Sequence, residues 1–322
     1  MILAYISLAF QVLGADDDIV EHFGMCDASA AMAISSDTFV VANDEDNILR
    51  IYQRDEPGAP IRGFNLDAFL APDPKHPEAD IEGAARIGER IYWITSHGAN
   101  KNSKPRSSRR RFFATDVKLE EGKALLVPAG QPYLNLLSDL AACPSLKDYQ
   151  LMLAATRAPK QKDALNIEGL CATPQGALLI AFRNPIPGGK ALIVPMENPD
   201  EVVEGKPAKL GEPMLLALGG LGVRSIEYYE HRNQYLIIAG SYGENDEFAI
   251  YLWSGDPERA PEIVEGIDLH GLRPETLIFY PGEERRIQIL SDDGTRPIDG
   301  QDCKNADPAM RCFRSGWIAL PD

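Results

Sequence analysis

The chain has 322 residues, 44% hydrophobic and 25% charged, with a formal net charge of −16. That is the balance of a soluble globular protein, long enough for one large domain or two ordinary ones, and no run is long enough for a membrane-crossing helix. So acidic a chain repels phosphate backbones, which sets nucleic acid aside as a main partner. Acidity by itself confers solubility and does not imply a metal.

The first residues, "MILAYISLAF", read as a strand over 2–10. A secretory signal would need a basic start and an unbroken apolar run, and Tyr5, Ser7 and Gln11 interrupt this one. A cytoplasmic location is therefore expected over export. The five cysteines, Cys26, Cys143, Cys171, Cys303 and Cys312, are odd in number and lack CxxC spacing, which argues against a disulfide framework or a structural zinc. Cys303 and Cys312 are the pair expected to join if the protein is exported; otherwise all are reduced.

Five later segments share one pattern: "CDASAAMAISSDTFVVANDEDN", "DIEGAARIGERIYWITSHG", "NIEGLCATPQGALLIAFRN", "SIEYYEHRNQYLIIAGSYG" and "RPETLIFYPGEERRIQILSDDG". Each is an apolar run, a turn rich in Gly, Pro, Asn, Asp or Ser, and a stronger apolar run, which is a hairpin signal. A third strand follows each, as in "ILRIYQ" and "KALIVPM". Glutamates recur at 82, 168, 227 and 275, with Ser29 in the matching place of the first segment. All-strand repeats at this period predict an all-β chain, a single β-propeller of five or six blades spanning residues 1–322. The longest step holds a helical reading over 132–155, either an insertion or a decayed blade. The last repeat lacks an outer strand, and residues 2–10 are expected to supply it.

In a propeller the inner hairpins line a channel. At about 3.3 Å per residue, the start of one inner strand and the end of the next lie within about 10 Å. That pairs Glu82 with His97, Glu168 with Arg183 and Asn184, Glu227 with Ser241 and Tyr242, and Glu275 with Asp292 and Asp293. The four glutamates are thus expected to ring one channel mouth. They need a compensating charge. Arg183, Arg224 and Arg273 could lock blade to blade, or a hard cation such as calcium, which takes oxygen ligands, could be held by Glu82, Glu168, Glu227, Glu275 and Asp292.

The same residues suit catalysis. Paired carboxylates serve glycosidic acid–base chemistry, and a metal-activated water assisted by His97 serves ester or phosphoester hydrolysis, with Glu82, His97, Glu168 and Arg183 as the catalytic set. No GxSxG, HExxH, P-loop or complete EF-hand spacing is present. The basic stretch "HGANKNSKPRSSRRRFFATD" rises from the same face. Its Arg109, Arg110 and Arg111, with Arg224, Glu227 and Glu275, are the expected contacts of a small anionic ligand, unless the arginines pair with the chain's own acids.

The ordered segments "CDASAA", "ANDEDN", "EADIEGAAR", "YWITSHG", "RRRFFAT", "NIEGL", "FRNPIPGGKALIVP", "GGLGVRSIE", "YLIIAG" and "LSDDG" resemble the bacterial domain-of-unknown-function 3616 family over nearly the whole chain. The resemblance implies a propeller-like fold and no established activity, so no catalytic residue carries over. The likeness to phytase-like and other esterase-like propellers is one of fold alone. Two functions are expected from the residues: a metal-dependent hydrolase of ester or phosphoester bonds, or a non-catalytic ligand-binding or interaction propeller.

Overall fold

Each apolar run, turn and apolar run closes into an antiparallel hairpin, and two further strands complete a sheet. The computed structural model describes residues 19–243 and 245–320 and contains five four-stranded sheets. Strand β1 is Ile19–Phe23. Blade 1 is β2 (Ala30–Ala33), β3 (Thr38–Ala42), β4 (Ile48–Gln53) and β5 (Arg62–Asn65). Blade 2 is β6 (Ile81–Ile87), β7 (Arg90–Thr95), β8 (Phe112–Glu120) and β9 (Lys123–Tyr133). Blade 3 is β10 (Asn166–Ala172), β11 (Leu178–Asn184), β12 (Ala191–Met196) and β13 (Met214–Leu216). Blade 4 is β14 (Gly222–Tyr229), β15 (Gln234–Gly240), β16 (Phe248–Trp253) and β17 (Glu262–Ile263). Blade 5 holds β18 (Pro274–Ile278) and β19 (Arg286–Ser291), a small hairpin of β20 (Pro297–Ile298) and β21 (Gln301–Asp302), and then β22 (Cys312–Ala319), with β1 outermost.

The innermost strands touch in the cyclic order β2, β6, β10, β14, β18 and back to β2, which makes a five-bladed propeller. Of the two expected blade counts, five is the one observed. The long step between blades 2 and 3 is filled by helices Leu136–Ala142 and Leu151–Ala154 around a 3-10 turn, Pro144–Tyr149. The helical reading began too early, because Tyr133 still belongs to β9.

Five apolar clusters hold the ring together, one at each blade junction. The strands feed them alternately. On β3, Val40 and Ala42 enter the core shared with blade 2, while Phe39 and Val41 enter the core shared with blade 5. A strand buried on both faces needs apolar residues at every position, which is why the second strand of each repeat reads as a continuous run rather than an alternation. The helical insertion adds Leu136, Leu137, Leu140 and Leu151 to the core between blades 2 and 3.

Ring closure departs from expectation. Residues 2–10 lie outside the described residues, and the outer position of blade 5 is taken by β1, paired antiparallel with β22 from Ile19↔Gly316 to Phe23↔Cys312. His22 anchors it. Its ring stacks on Phe313 at 4.9 Å, meets Phe39 and Tyr52 edge-on, and its Nε2 lies 2.9 Å from Ser315 Oγ. A disulfide adds a second tie, but it joins Cys26 to Cys303, with Cα atoms 5.9 Å apart, and not Cys303 to Cys312. Cys143, Cys171 and Cys312 are free thiols.

Both ties span the point where the start and end of the chain meet. Replacing Cys26 and Cys303 together by Ser should lower unfolding stability by about 2–4 kcal/mol. Removing the chain through Phe23 should also destabilise the fold, because it bares the edge of β22. Chemical denaturation followed by circular dichroism checks both; unchanged midpoints would show that closure rests on blade packing alone.

Candidate functional site

Four innermost strands are irregular at the same place. Pairing slips between Ile81 and Gly83, between Ile167 and Gly169, between Val223 and Ser225, and between Pro274 and Thr276. The extra residue in each slip is Glu82, Glu168, Arg224 and Glu275 in turn. A bulge of this kind re-aims a side chain, here toward the axis. In blade 1, Ala30 pairs with Ala42 and the Ser29 amide also donates to Ala42 O, which puts Ser29 in the matching place.

The inner ring is therefore serine, glutamate, glutamate, arginine, glutamate. The fourth glutamate expected there, Glu227, lies three residues further along β14 in regular register opposite Leu236. The "IE" of "SIEYYE" imitates the "IE" of "DIEG" and "NIEG" without matching it in space. The following position shows why the true pattern differs. Gly83 and Gly169 leave room for neighbouring strands, and a Cβ at Gly169 would stand 2.8 Å from Ala181 Cβ. Blades 4 and 5 put Ser225 and Thr276 there instead. Ser225 Oγ accepts from the Leu277 amide at 3.2 Å, and Thr276 Oγ1 donates to Ala28 O at 3.0 Å.

Above the ring lies a cavity of about 180 Å³. Its lining holds seven acids, Asp27, Asp44, Asp80, Glu82, Glu168, Glu275 and Asp292, against four cations, Arg109, Lys160, Arg183 and Arg224. Arg183 donates to Glu168 Oε1 at 2.7 Å, and Asn166 donates to the same oxygen at 2.8 Å. Arg224 donates to Glu275 Oε2 and stands 3.8 Å from Glu168 Oε2, an oxygen with no hydrogen bond. Arg109 pairs with Glu78 and, at 3.0 Å, with Asp80. Among the described residues Glu82 has no cationic partner within 4 Å, and a buried oxygen of Asp44 has no hydrogen bond. One carboxylate oxygen each from Glu82, Glu168 and Glu275 lies within 4.8 Å of the other two.

Burial, reinforced by Asp80, Glu168, Asp44 and Glu275, pushes the Glu82 carboxyl well above its usual range. Burial and neighbouring acids do the same to Asp44. Burial raises Asp80 to about 7 against the pull of Arg109, and Glu275 to about 8 against Arg224. Burial, the Asp44 charge and a hydrogen bond to Asp292 push Asp27 to about 10. Asp292 goes the other way: burial opposes its ionisation, but the bond from Asp27 and the charges of Arg224 and Arg273 hold it below its usual value. The two residues are neighbours through an antiparallel backbone bridge, and their carboxyls are shifted in opposite directions.

Of the residues expected at a site, Glu82, Glu168, Arg183, Arg109, Arg224, Glu275 and Asp292 line this cavity. Four do not. His97 is fully buried at a positive φ of 57°, its Nδ1 is 2.7 Å from Thr95 O, and burial lowers it to about 4. It has no route to act as a base at the cavity. Arg111 is buried and donates to Leu70 O and Ser107 O, so it fastens backbone. Arg110 is half-buried and, like Glu227, is absent from the cavity wall. Sequence reasoning missed Asp27, Asp44, Asp80, Lys160 and Asn166. For Asp80 and Asn166 a signal existed: each lies two residues before a bulge glutamate, the strand period that shares a face.

The family model described as "Protein of unknown function (DUF3616)" matches residues 27–128 and 110–270, and the chain belongs to that family. No curated protein matches it. Among solved structures it is similar to an engineered GH43 glycoside hydrolase at 11% identity and TM-score 0.48, covering 92% of this chain and 52% of that one. It is also similar to a gluconolactonase from Xanthomonas campestris at 13% identity and TM-score 0.39, covering 93% and 89%, and to the WD40 propeller of Doa1 at 10% identity and TM-score 0.34, covering 83% and 62%. At these identities and scores the likeness concerns the fold only.

The acid wall predicts a pH dependence. A carboxyl with a folded-state pKa above its unfolded value binds more protons when folded, so its contribution to stability is lost as pH rises through the folded value. Buried neutral His22 and His97, lowered to about 4, act oppositely, but only below the ordinary histidine value of about 6.5. Between about pH 6.5 and 8, where Asp80 and Glu275 release protons, the melting temperature in chelator should fall as pH rises. Each such group contributes up to about 1.4 kcal/mol per pH unit. A flat or rising profile measured by thermal unfolding over that window would contradict this account of the cavity.

Proposed function

We propose that the cavity of this DUF3616-family propeller binds a divalent cation through Glu82, Glu168 and Glu275, and that it serves the hydrolysis of an ester or phosphoester on a small anionic substrate. The observation that carries the reading is the convergence of three carboxylate oxygens, from three blades, within 4.8 Å of one another. Oxygens on opposite sides of a calcium ion stand about 4.6–5.2 Å apart, twice its usual bond length.

The donor set fits the ion on two further counts. Asn166 Oδ1 and Glu168 Oε2 are buried oxygens without hydrogen bonds, and Asp44 adds a third. Seven acids against four cations leave negative charge for a dication to cancel. Calcium suits this flexible all-oxygen set better than zinc, which favours nitrogen and sulfur. A bound dication would supply Lewis acidity and lower the pKa of water. The protein's own part is to place charge: Lys160, which also lines the cavity, would hold the anionic end of the substrate, and Arg183, paired with Glu168 at 2.7 Å, would fix that carboxylate. Arg109, engaged by Glu78 and Asp80, would position the acid wall instead. The Cys26–Cys303 disulfide supports folding in an oxidising compartment, in contrast to the cytoplasmic expectation.

The pairing of Glu168 with Arg183 and of Glu275 with Arg224 favours a second reading, a non-catalytic rivet between blades. Glutamine variants separate the two. Glu82→Gln removes an acid with no cationic partner, so without metal it should stabilise the fold by about 1 kcal/mol. Glu168→Gln leaves the largely buried Arg183 without its counter-charge, and should destabilise by about 2 kcal/mol. Calcium should raise the wild-type melting temperature in proportion to occupancy, and Glu82→Gln should lose that response. No calcium response in the wild type, with Glu168→Gln still destabilised, would leave the rivet standing and remove the hydrolase reading.

A further inference from the structure

We propose that the opposite face of the propeller carries a second site, a basin that binds a small organic ammonium ion by pairing it with Glu227 and packing it against tyrosine and phenylalanine rings. This site is independent of the acid cavity and does not rest on the reading given for it.

The basin is formed where the hairpin turns of all five inner strand pairs meet, around Met32–Ile34, Gly88, Thr173, Tyr228 and Phe279. Its volume is about 1060 Å³, at the upper end of the range of about 300–1,000 Å³ for small-molecule sites. Tyr228, Tyr229, Phe279 and Tyr280 supply its aromatic lining. The rings are fixed. Tyr229 stacks on Phe279 with centroids 4.9 Å apart, the Tyr280 hydroxyl donates to Gln288 Oε1, and the Tyr228 hydroxyl donates to Asn233 Oδ1.

Glu227 is the acid at this site left without compensation. It lines both the basin and a void of about 10 Å³ that it shares with Glu82 and Glu168 further up the channel. Burial pushes its carboxyl well above the usual range, and among the described residues it has no ion-pair partner within 4 Å. Apart from Glu230, the other charged groups around the basin are engaged. Glu283 pairs with Arg286 at 2.8 Å, Glu284 lies 3.6 Å from His231, and Arg86 donates to Ala33 O and Ile34 O. Glu230 stands exposed on the rim and adds to the negative side.

The donor chemistry decides the kind of cation. A hard dication wants six to eight oxygen ligands, and one carboxylate amid aromatic rings cannot provide them. An alkylammonium ion needs one counter-charge and gains from aromatic faces through cation–π attraction. An anion would meet Glu227 and Glu230 and be repelled.

The test is titration of benzyltrimethylammonium into the full chain, read by calorimetry and by the amide shifts of Gly88 and Gly282, which line the basin. Saturable binding is expected, with shifts at both glycines and at least about tenfold weaker affinity in Glu227→Gln. Benzyl alcohol, similar in shape but uncharged, should bind at least about tenfold more weakly than the ammonium. Should Glu227→Gln fail to fold, Tyr228→Ala serves instead and should also weaken binding. The proposal is overturned by absence of saturable binding, by shifts confined to other regions, by undiminished affinity in the folded variant, or by equal binding of benzyl alcohol.

Discussion

The axis of the molecule depends on Arg224. Five inner strands converge there, and three of them present glutamates. Without a fixed positive charge the bulges would drive like charges together in a place where water cannot screen them. Arg224 occupies the blade 4 position of the same ring and reaches both ways, to Glu275 at 2.7 Å and to Glu168 at 3.8 Å. Its guanidinium also lies 5.4 Å from the Phe248 ring centroid, so the charge is held by packing as well as by pairing. The ring glutamates of blades 3 and 5 are thereby paired, and Glu82, Asp44 and Asp27, acids without a cationic partner, are left on the other side of the ring. The chemical character of the cavity follows from that asymmetry.

The residues on either side of Arg224 show how much of this was legible in the chain. The repeat of apolar run, turn and apolar run states the propeller openly, because strands that feed two cores must be apolar at every position. The pairing of Glu168 with Arg183 was also accessible, since hairpin geometry alone brings the start of β10 to the end of β11. The ring itself was not. Aligning "SIE" with "NIEG" is the natural choice by letter, yet a bulge is a matter of backbone pairing, and "VRS" is the stretch that matches in register. An arginine in place of a glutamate hides the equivalence further. Asp44 and Asp27 come from loops, where no periodicity announces which way a side chain turns.

The basic stretch offers a similar lesson. Six lysines and arginines between residues 101 and 111 look like an arm for an anion, and the structure gives two of them internal work. Arg111 ties backbone carbonyls of the 70–71 and 107–110 segments, and Arg109 answers Glu78 and Asp80. In a chain with a net charge of −16, a cluster of positive side chains is more readily consumed by the protein's own acids than left for a ligand.

The seam in blade 5 bears on the order of events at synthesis. Asp27 belongs to the first repeat, whereas Asp292, Cys303 and β22 belong to the fifth and are made after it. The bridge between Asp27 and Asp292, the disulfide from Cys26 to Cys303 and the pairing of β1 with β22 must therefore all wait for the fifth blade. Until then one wall of the cavity is missing, and the nascent chain carries its acids open to water. A chain interrupted before the fifth blade would lack Glu275 and Asp292, and so would leave the cavity open on that side.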